Sequence, residues 1–224
     1  MNLRQIKRNL SFWHERWQMK SLRGSGIATF QYVTCPTTKN PILCALMFEN
    51  QKRGFGFTGG FCDRESPCVA ASREIFEESS GLLHIESSIV KNIDPTYIFF
   101  GFYQSFPILI DSTIQLTTHM FHSNQQKLKE QNASRYYLEM SDIRYIPIQN
   151  MMDDGLLEGN GSMLTRDKDG QNIKIINRSR TLLKKIRKKT NWTETLIKGQ
   201  LHKSEDHFGG FSAITNYNIQ MQVD

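Results

Sequence analysis

Long apolar runs are missing from this 224-residue chain. No stretch approaches the roughly 18 consecutive apolar residues that a membrane-crossing helix needs. The first residues, MNLRQIKRNLSFWHERWQ, contain no apolar core of signal-peptide length. Cysteine is scarce: Cys35, Cys44, Cys62 and Cys68 form no CxxC pair, so no zinc site is specified. Reduced thiols in an intracellular protein, nuclear or cytoplasmic, are the expectation. No internal repeat is present, which excludes a solenoid.

Acid is nearly absent from two segments. Residues 1–24 hold six Lys/Arg and one acid, or +5, and residues 174–189 hold eight Lys/Arg and none, or +8. The formal net charge is only +6, so the rest of the chain carries −7. Basic ends around an acidic middle suit a polyanion docking beside a metal site. A solvated helix face with a basic tail is the alternative. The scarcity of acid at the start also leaves a mitochondrial presequence open.

The pattern divides the chain into a basic extension (1–24), one domain (25–198) and a polar tail (199–224) expected to be loosely ordered. Ile27–Val33 and Pro41–Phe48 read as strands. GFGFTGG (Gly54–Gly60) reads as a strand end and tight turn, where glycine lets backbone pass close to a ligand. Ser66 and Pro67 open a helix as N-cap and first residue, and Gly81 closes it. Tyr97–Tyr103, Pro107–Ile110, Ile114–Phe121 and Arg144–Ile148 follow as strand-like runs, with a helix-permissive stretch over Ser123–Ala133. Asp153–Gly170 reads as a loop and Ile173–Ile197 as a helix. Strands interleaved with a central and a late helix predict an α/β sandwich.

The chemistry concentrates on the central helix. At about 100° per residue, Glu74, Glu77 and Glu78 fall within one arc of about 100°. Three carboxylates this close repel one another unless a cation neutralises them. An all-oxygen set suits Mg²⁺ or Mn²⁺. Arg73 can hold one carboxylate in place, and Glu65 enters from the preceding loop. Taken alone, the three glutamates could equally be an exposed acidic face with a local ion pair. His119 and His122 flank Phe121 on a strand-like run and carry no assigned role. Phe55, Phe57 and Phe61 could stack on a base or pack in the core.

Gly59, Glu65, Arg73, Glu74, Ile75, Glu77 and Glu78 stand at the spacing of the Nudix box: Gly, five residues, Glu, seven residues, Arg-Glu-apolar-any-Glu-Glu, one residue, Gly. The chain therefore resembles the Nudix hydrolases. The box has glycine where Ser80 stands, and Gly81 comes one residue late; lengthening the helix end by one residue would restore it. GFTGGFCD (Gly56–Asp63), YYLEMSDIRYIPI (Tyr136–Ile148) and the basic helix Arg178–Ile186 resemble the small nucleolar RNA-decapping members.

The resemblance implies a Nudix α/β/α sandwich with a mixed sheet and a loop-helix-loop, and hydrolysis of a nucleoside diphosphate bond. It implies Glu74, Glu77, Glu78 and Gly59 at Mg²⁺ or Mn²⁺. Glu77, Glu78, Glu139 and Arg73 become the catalytic candidates, with Glu139 as fourth ligand or general base. Phe57, Gly60, Phe61, Lys184, Lys185 and Arg187 become the substrate-binding candidates. KKIRKK (Lys184–Lys189) could contact RNA or serve as a nuclear address. Three functions compete: RNA 5′-cap hydrolysis, hydrolysis of a small nucleotide such as inosine diphosphate or ADP-ribose, and a silent RNA-binding module. Many members of the family dimerise, so a homodimer is admitted.

Overall fold

The computed structural model describes residues 23–114, 116–152, 154–159 and 161–188, with residues 100, 154 and 155 described by backbone alone. The basic extension to residue 22, the last residues of the expected late helix and the polar tail lie outside them. Among the described residues no helix is long and apolar enough to cross a membrane.

Among the described residues nine strands form one mixed sheet: β1 (Gly24–Thr34), β2 (Pro41–Asn50), β3 (Gly54–Gly56), β4 (Gly60–Phe61), β5 (Thr96–Ile98), β6 (Tyr103–Ile110), β7 (Met140–Pro147), β8 (Met163–Arg166) and β9 (Asn172–Ile175). The order is β5-β6-β1-β2-β3-β9-β8, with β4 on β1 and β7 on β2. β1/β6 and β3/β9 are parallel, and the other pairs are antiparallel. Gly24 pairs with both Phe61 and Tyr103, so the sheet already includes residue 24.

Strand alternation builds two cores. Cys44, Leu46 and Phe48 of β2 face the layer of helices α1 (Pro67–Glu78) and α3 (Thr118–Glu130), where Ala71, Ile75 and Phe121 are buried. Ala45 and Met47 face the other way, onto Leu182, Leu183 and Ile186 of the late helix, named α6 below. Short helices α2 (Ser87–Val90), α4 (Ile148–Met151) and α5 (Asp154–Glu158) complete the set before α6 (Asn177–Lys188). The class is α/β, with helices on both faces of a mixed sheet, as expected.

Five expectations change. Tyr97–Tyr103 is not one strand: Phe99 (φ 52°) and Gly101 (φ 90°) form a 3-10 turn joining β5 to β6. Ile114–Phe121 is not a strand; Thr117 caps α3 through Met120 N at 3.1 Å, so His119, Phe121 and His122 are helical. Asp153–Gly170 contains α5 and β8, and Ile173–Ile175 is strand, so the late helix starts at Asn177. Finally, α1 needs no lengthening. Ser80 N donates to Glu77 O (2.9 Å) and Gly81 N to Phe76 O (2.7 Å), a Schellman closure. Ser80 itself takes the left-handed conformation (φ 57°) that the glycine would have taken.

Candidate active site

The site forms where the turn before β4 passes between the start of β1 and helix α1. Backbone touches backbone here. A Cβ on Gly26 would strike Thr58 O and Tyr103 Oη, and one on Gly59 (φ 142°) would strike Tyr103 Oη and Ser25 O. A Cβ on Gly60 would strike the Glu74 carboxylate. Glycine at these places lets α1 bring its acids against the turn. The helix is fixed there by Ser66, whose hydroxyl accepts from Val69 N, and by Ser25 Oγ donating to Pro67 O at 2.7 Å.

Arg73 gathers the carboxylates. Its Nε donates to Glu65 Oε2 (3.0 Å), and its Nη1 to both Glu74 Oε1 (2.8 Å) and Glu77 Oε2 (2.9 Å). Its Nη2 donates to Phe61 O (3.0 Å). Burial opposes its charge, but Glu65 and Glu74 outweigh that and hold the guanidinium above its ordinary range.

Glu78 is the most buried acid of the cluster, 7% exposed, and accepts from Gly59 N at 2.8 Å. Burial pushes its pKa up to about 8, and Glu74 and Glu139 push the same way, against Arg178 and the Gly59 N–H. Burial also raises Glu74, with Glu77 adding to it and Arg73 and Arg178 opposing. Glu139 is exposed, just after the 3-10 turn Arg135–Leu138, and its charge reaches Glu78. Four carboxylates, Glu65, Glu74, Glu77 and Glu78, thus stand against two guanidiniums.

The second guanidinium, Arg178, was not singled out from the sequence. Nη1 donates to Gly59 O (2.6 Å) and Nη2 to Phe57 O (2.8 Å), and the group lies 5.1 Å from the Tyr103 ring centre. One arginine among eight basic residues carries no local mark, and only the tertiary turn of α6 selects it. Tyr103 is likewise visible only in the fold.

The structure brings Arg73, Glu74, Glu77, Glu78, Glu139, Gly59, Gly60 and Phe61 together. It separates others. Phe57 is 3% exposed and packs on Phe30 at 5.4 Å, so it cannot stack on a base. The carbonyl of Gly59, a residue expected at a metal, accepts from Arg178 Nη1. Lys184, Lys185 and Arg187 lie about 9–14 Å further along α6 than Arg178. Lys184 pairs with Glu158 (2.9 Å), and Arg187 donates to Met152 O (3.3 Å).

Glu74, Glu77 and Glu78 suit a hard divalent cation chemically: all donors are carboxylate oxygens, and a buried acid with one backbone donor ionises at neutral pH only with added positive charge. Among the described residues no three acidic, histidine or cysteine side chains already surround one ion position. Arg73 Nη1 stands between Glu74 and Glu77 instead.

A cavity of about 630 Å³ lies elsewhere, at the far end of β1, lined by Tyr32, Thr118, His119, Arg144, Lys168 and Asp169 among others. No family model matches the chain, and no curated protein matches it. Among solved structures the chain is similar to a mutT/nudix family protein from Listeria innocua, at 15% identity and a TM-score of 0.40, over 80% of this chain and 95% of that one.

Proposed function

We propose that the chain is a Nudix-type hydrolase that cleaves a nucleoside diphosphate bond, with an RNA 5′ cap as substrate. One observation carries the reading: Glu74, Glu77 and Glu78 converge beside the Gly59–Gly60 turn, with Arg73 bridging two of them. A cluster of desolvated carboxylates is costly in a merely structural role.

Glu74, Glu77 and Glu78 would hold Mg²⁺ or Mn²⁺. Bound there, such an ion neutralises charge on phosphate oxygens and makes water a better nucleophile. The protein's own groups do the rest. Gly60 leaves backbone room beside Glu74. Arg178 fixes the turn through two carbonyls and supplies fixed positive charge. Arg73 sets the spacing of Glu65, Glu74 and Glu77. Glu139, open to solvent, would accept the proton of the attacking water or serve as a fourth ligand. The +8 of residues 174–189 supports a polyanionic substrate over a free nucleotide.

The test is product identification from 7-methylguanosine-capped RNA, inosine diphosphate and ADP-ribose, each with Mg²⁺ and Mn²⁺. Release of a nucleoside diphosphate from capped RNA, falling steeply with salt, is expected. Faster turnover of free nucleotides without salt dependence would move the reading to the small-nucleotide class. No turnover of any substrate, with RNA still bound, would leave a binding module.

A further inference from the structure

Beside the carboxylate cluster lies a strip of exposed aromatic rings that catalysis leaves unused. Phe99 and Phe102, on the β5–β6 turn, are 41% and 39% exposed. Phe99 is held at φ 52°, a left-handed conformation that a bulky residue rarely adopts. The turn that imposes it keeps the ring at the surface rather than in either core. Arg23 joins the strip, its guanidinium 5.8 Å from the Phe102 ring centre.

The strip is tied to the site by backbone. Arg23 N and Gly24 N both donate to Phe102 O, at 3.0 and 3.1 Å. Gly24 pairs with Phe61 of β4, and Phe61 O receives Arg73. Two strand spacings, about 10 Å, therefore separate Phe102 from the residue that Arg73 holds. Phe61 itself is 70% exposed on that path.

Exposed rings beside a cation suit one occupant best: bases that stack and phosphates that pair. An apolar protein segment would meet the Arg23 charge. We propose that Phe99, Phe102 and Arg23 form a platform for unpaired nucleotides of a single-stranded RNA, whose 5′ end then lies at the carboxylates. This placement rests on the diphosphatase reading; the binding itself does not.

The test uses the full chain in EDTA, so that nothing turns over, and a labelled ten-nucleotide single-stranded RNA followed by anisotropy. Phe102→Ala is expected to weaken binding about tenfold, and Phe99→Ala with Phe102→Ala about a hundredfold, with the salt slope unchanged. Phe102→Tyr keeps a stacking face and should bind like the parent chain. Arg23→Gln should lower the salt slope by about one. Melting curves show that each variant is folded; if Phe99→Ala is not, Phe102→Leu replaces it and should lose as much as Phe102→Ala. Parent-like binding by a folded Phe102→Ala, or no binding by the parent chain, overturns the proposal. Capture of a protein on the same residues with no RNA affinity overturns it too. Hydrolysis is measured separately with Mg²⁺: its absence in the parent chain, with RNA binding intact, defeats the diphosphatase reading and leaves the platform standing.

Discussion

The two ends of β1 differ in kind. At its start, Glu65, Glu74, Glu77 and Glu78 crowd around Arg73 and Arg178, and burial works against the charge of Glu74 and Glu78. At its far end, about 20 Å away, is a cavity with room for a ligand but with its charges already matched. Arg144 meets Asp142 at 2.7 Å and Asp167 at 3.7 Å, and Lys168 meets Asp169 at 2.7 Å. The roomy end pairs its cations, although Asp167 is buried and, among the described residues, its Oδ2 and the Tyr145 hydroxyl accept or donate no hydrogen bond. The crowded end sets four carboxylates against two guanidiniums, and its charge is unbalanced. The proposed site therefore follows unbalanced, desolvated charge rather than empty space.

The sharpest way to break that contrast is at the carboxylates. Glu77→Gln and Glu78→Gln should each lower kcat for diphosphate hydrolysis by about 10³-fold, since several kcal/mol of charge stabilisation go with a ligand. Single-turnover assays at saturating Mg²⁺ would measure it; retained turnover would make the cluster structural. Gly60→Ala comes next. Its Cβ enters the space of the Glu74 carboxylate, so kcat should fall by about tenfold to a hundredfold while thermal stability changes far less. A variant that is as active as the parent would show that Glu74 need not lie against the turn.

Titration probes the same contrast without substrate. The folded pKa of Glu78, about 8, lies above its ordinary 4.5. The folded state then binds the proton more tightly than the unfolded state. This contribution to stability is complete below about pH 4.5, is lost as pH rises towards 8, and changes no further above it. The melting temperature in EDTA should fall across that window more in the parent chain than in Glu78→Gln. Millimolar Mg²⁺ should flatten the difference by favouring the ionised form. Equal slopes for parent and variant would deny the burial effect.

Much of this site was legible beforehand, because helix signals and acid spacing are local. Ser66 and Pro67 mark the helix start, and the positions of Glu74, Glu77 and Glu78 follow from 3.6 residues per turn. What escaped was set by tertiary context. Arg178 looks like its neighbours until α6 packs against Gly59. Phe57 looks like Phe61, yet one lies in the core and the other at the surface. Thr117 was a readable cap, but Leu116, Thr117 and Thr118 look like a strand, and that hid the start of α3. The aromatic run at Tyr97–Tyr103 concealed a turn because only Gly101 hints at one.

Ser80 supports a finer comparison, between the two ways to lose its hydroxyl. Ser80 Oγ donates to Tyr137 O at 2.8 Å. Ser80→Ala loses that bond and keeps the left-handed backbone, whereas Ser80→Gly loses it and relieves the backbone. Denaturant unfolding should find the glycine variant milder by about 1 kcal/mol. Equal losses would mean that the helix end rearranges. The smallest expected effect is at the far end of β1: Lys168→Ala should leave hydrolysis unchanged and shift stability by less than about 0.5 kcal/mol. A clear loss of turnover there would tie the cavity to the reaction.

The hydroxyl of Ser80 also acts as a tie. Glu78 stands two residues before Ser80, and Glu139 stands two residues after Tyr137. The 2.8 Å bond between Ser80 Oγ and Tyr137 O thus joins two equal arms, one on the helix and one on the turn before β7. The Phe76 and Tyr137 rings, 5.7 Å apart edge to face, brace the same joint, and Asn124 Nδ2 grips Ser80 O from α3 at 2.5 Å. A glycine in that place would close the helix as well but would lose the side-chain bond to Tyr137 O. The one residue that departs from the motif therefore adds a bond between the two segments that carry Glu78 and Glu139, 61 positions apart in the chain.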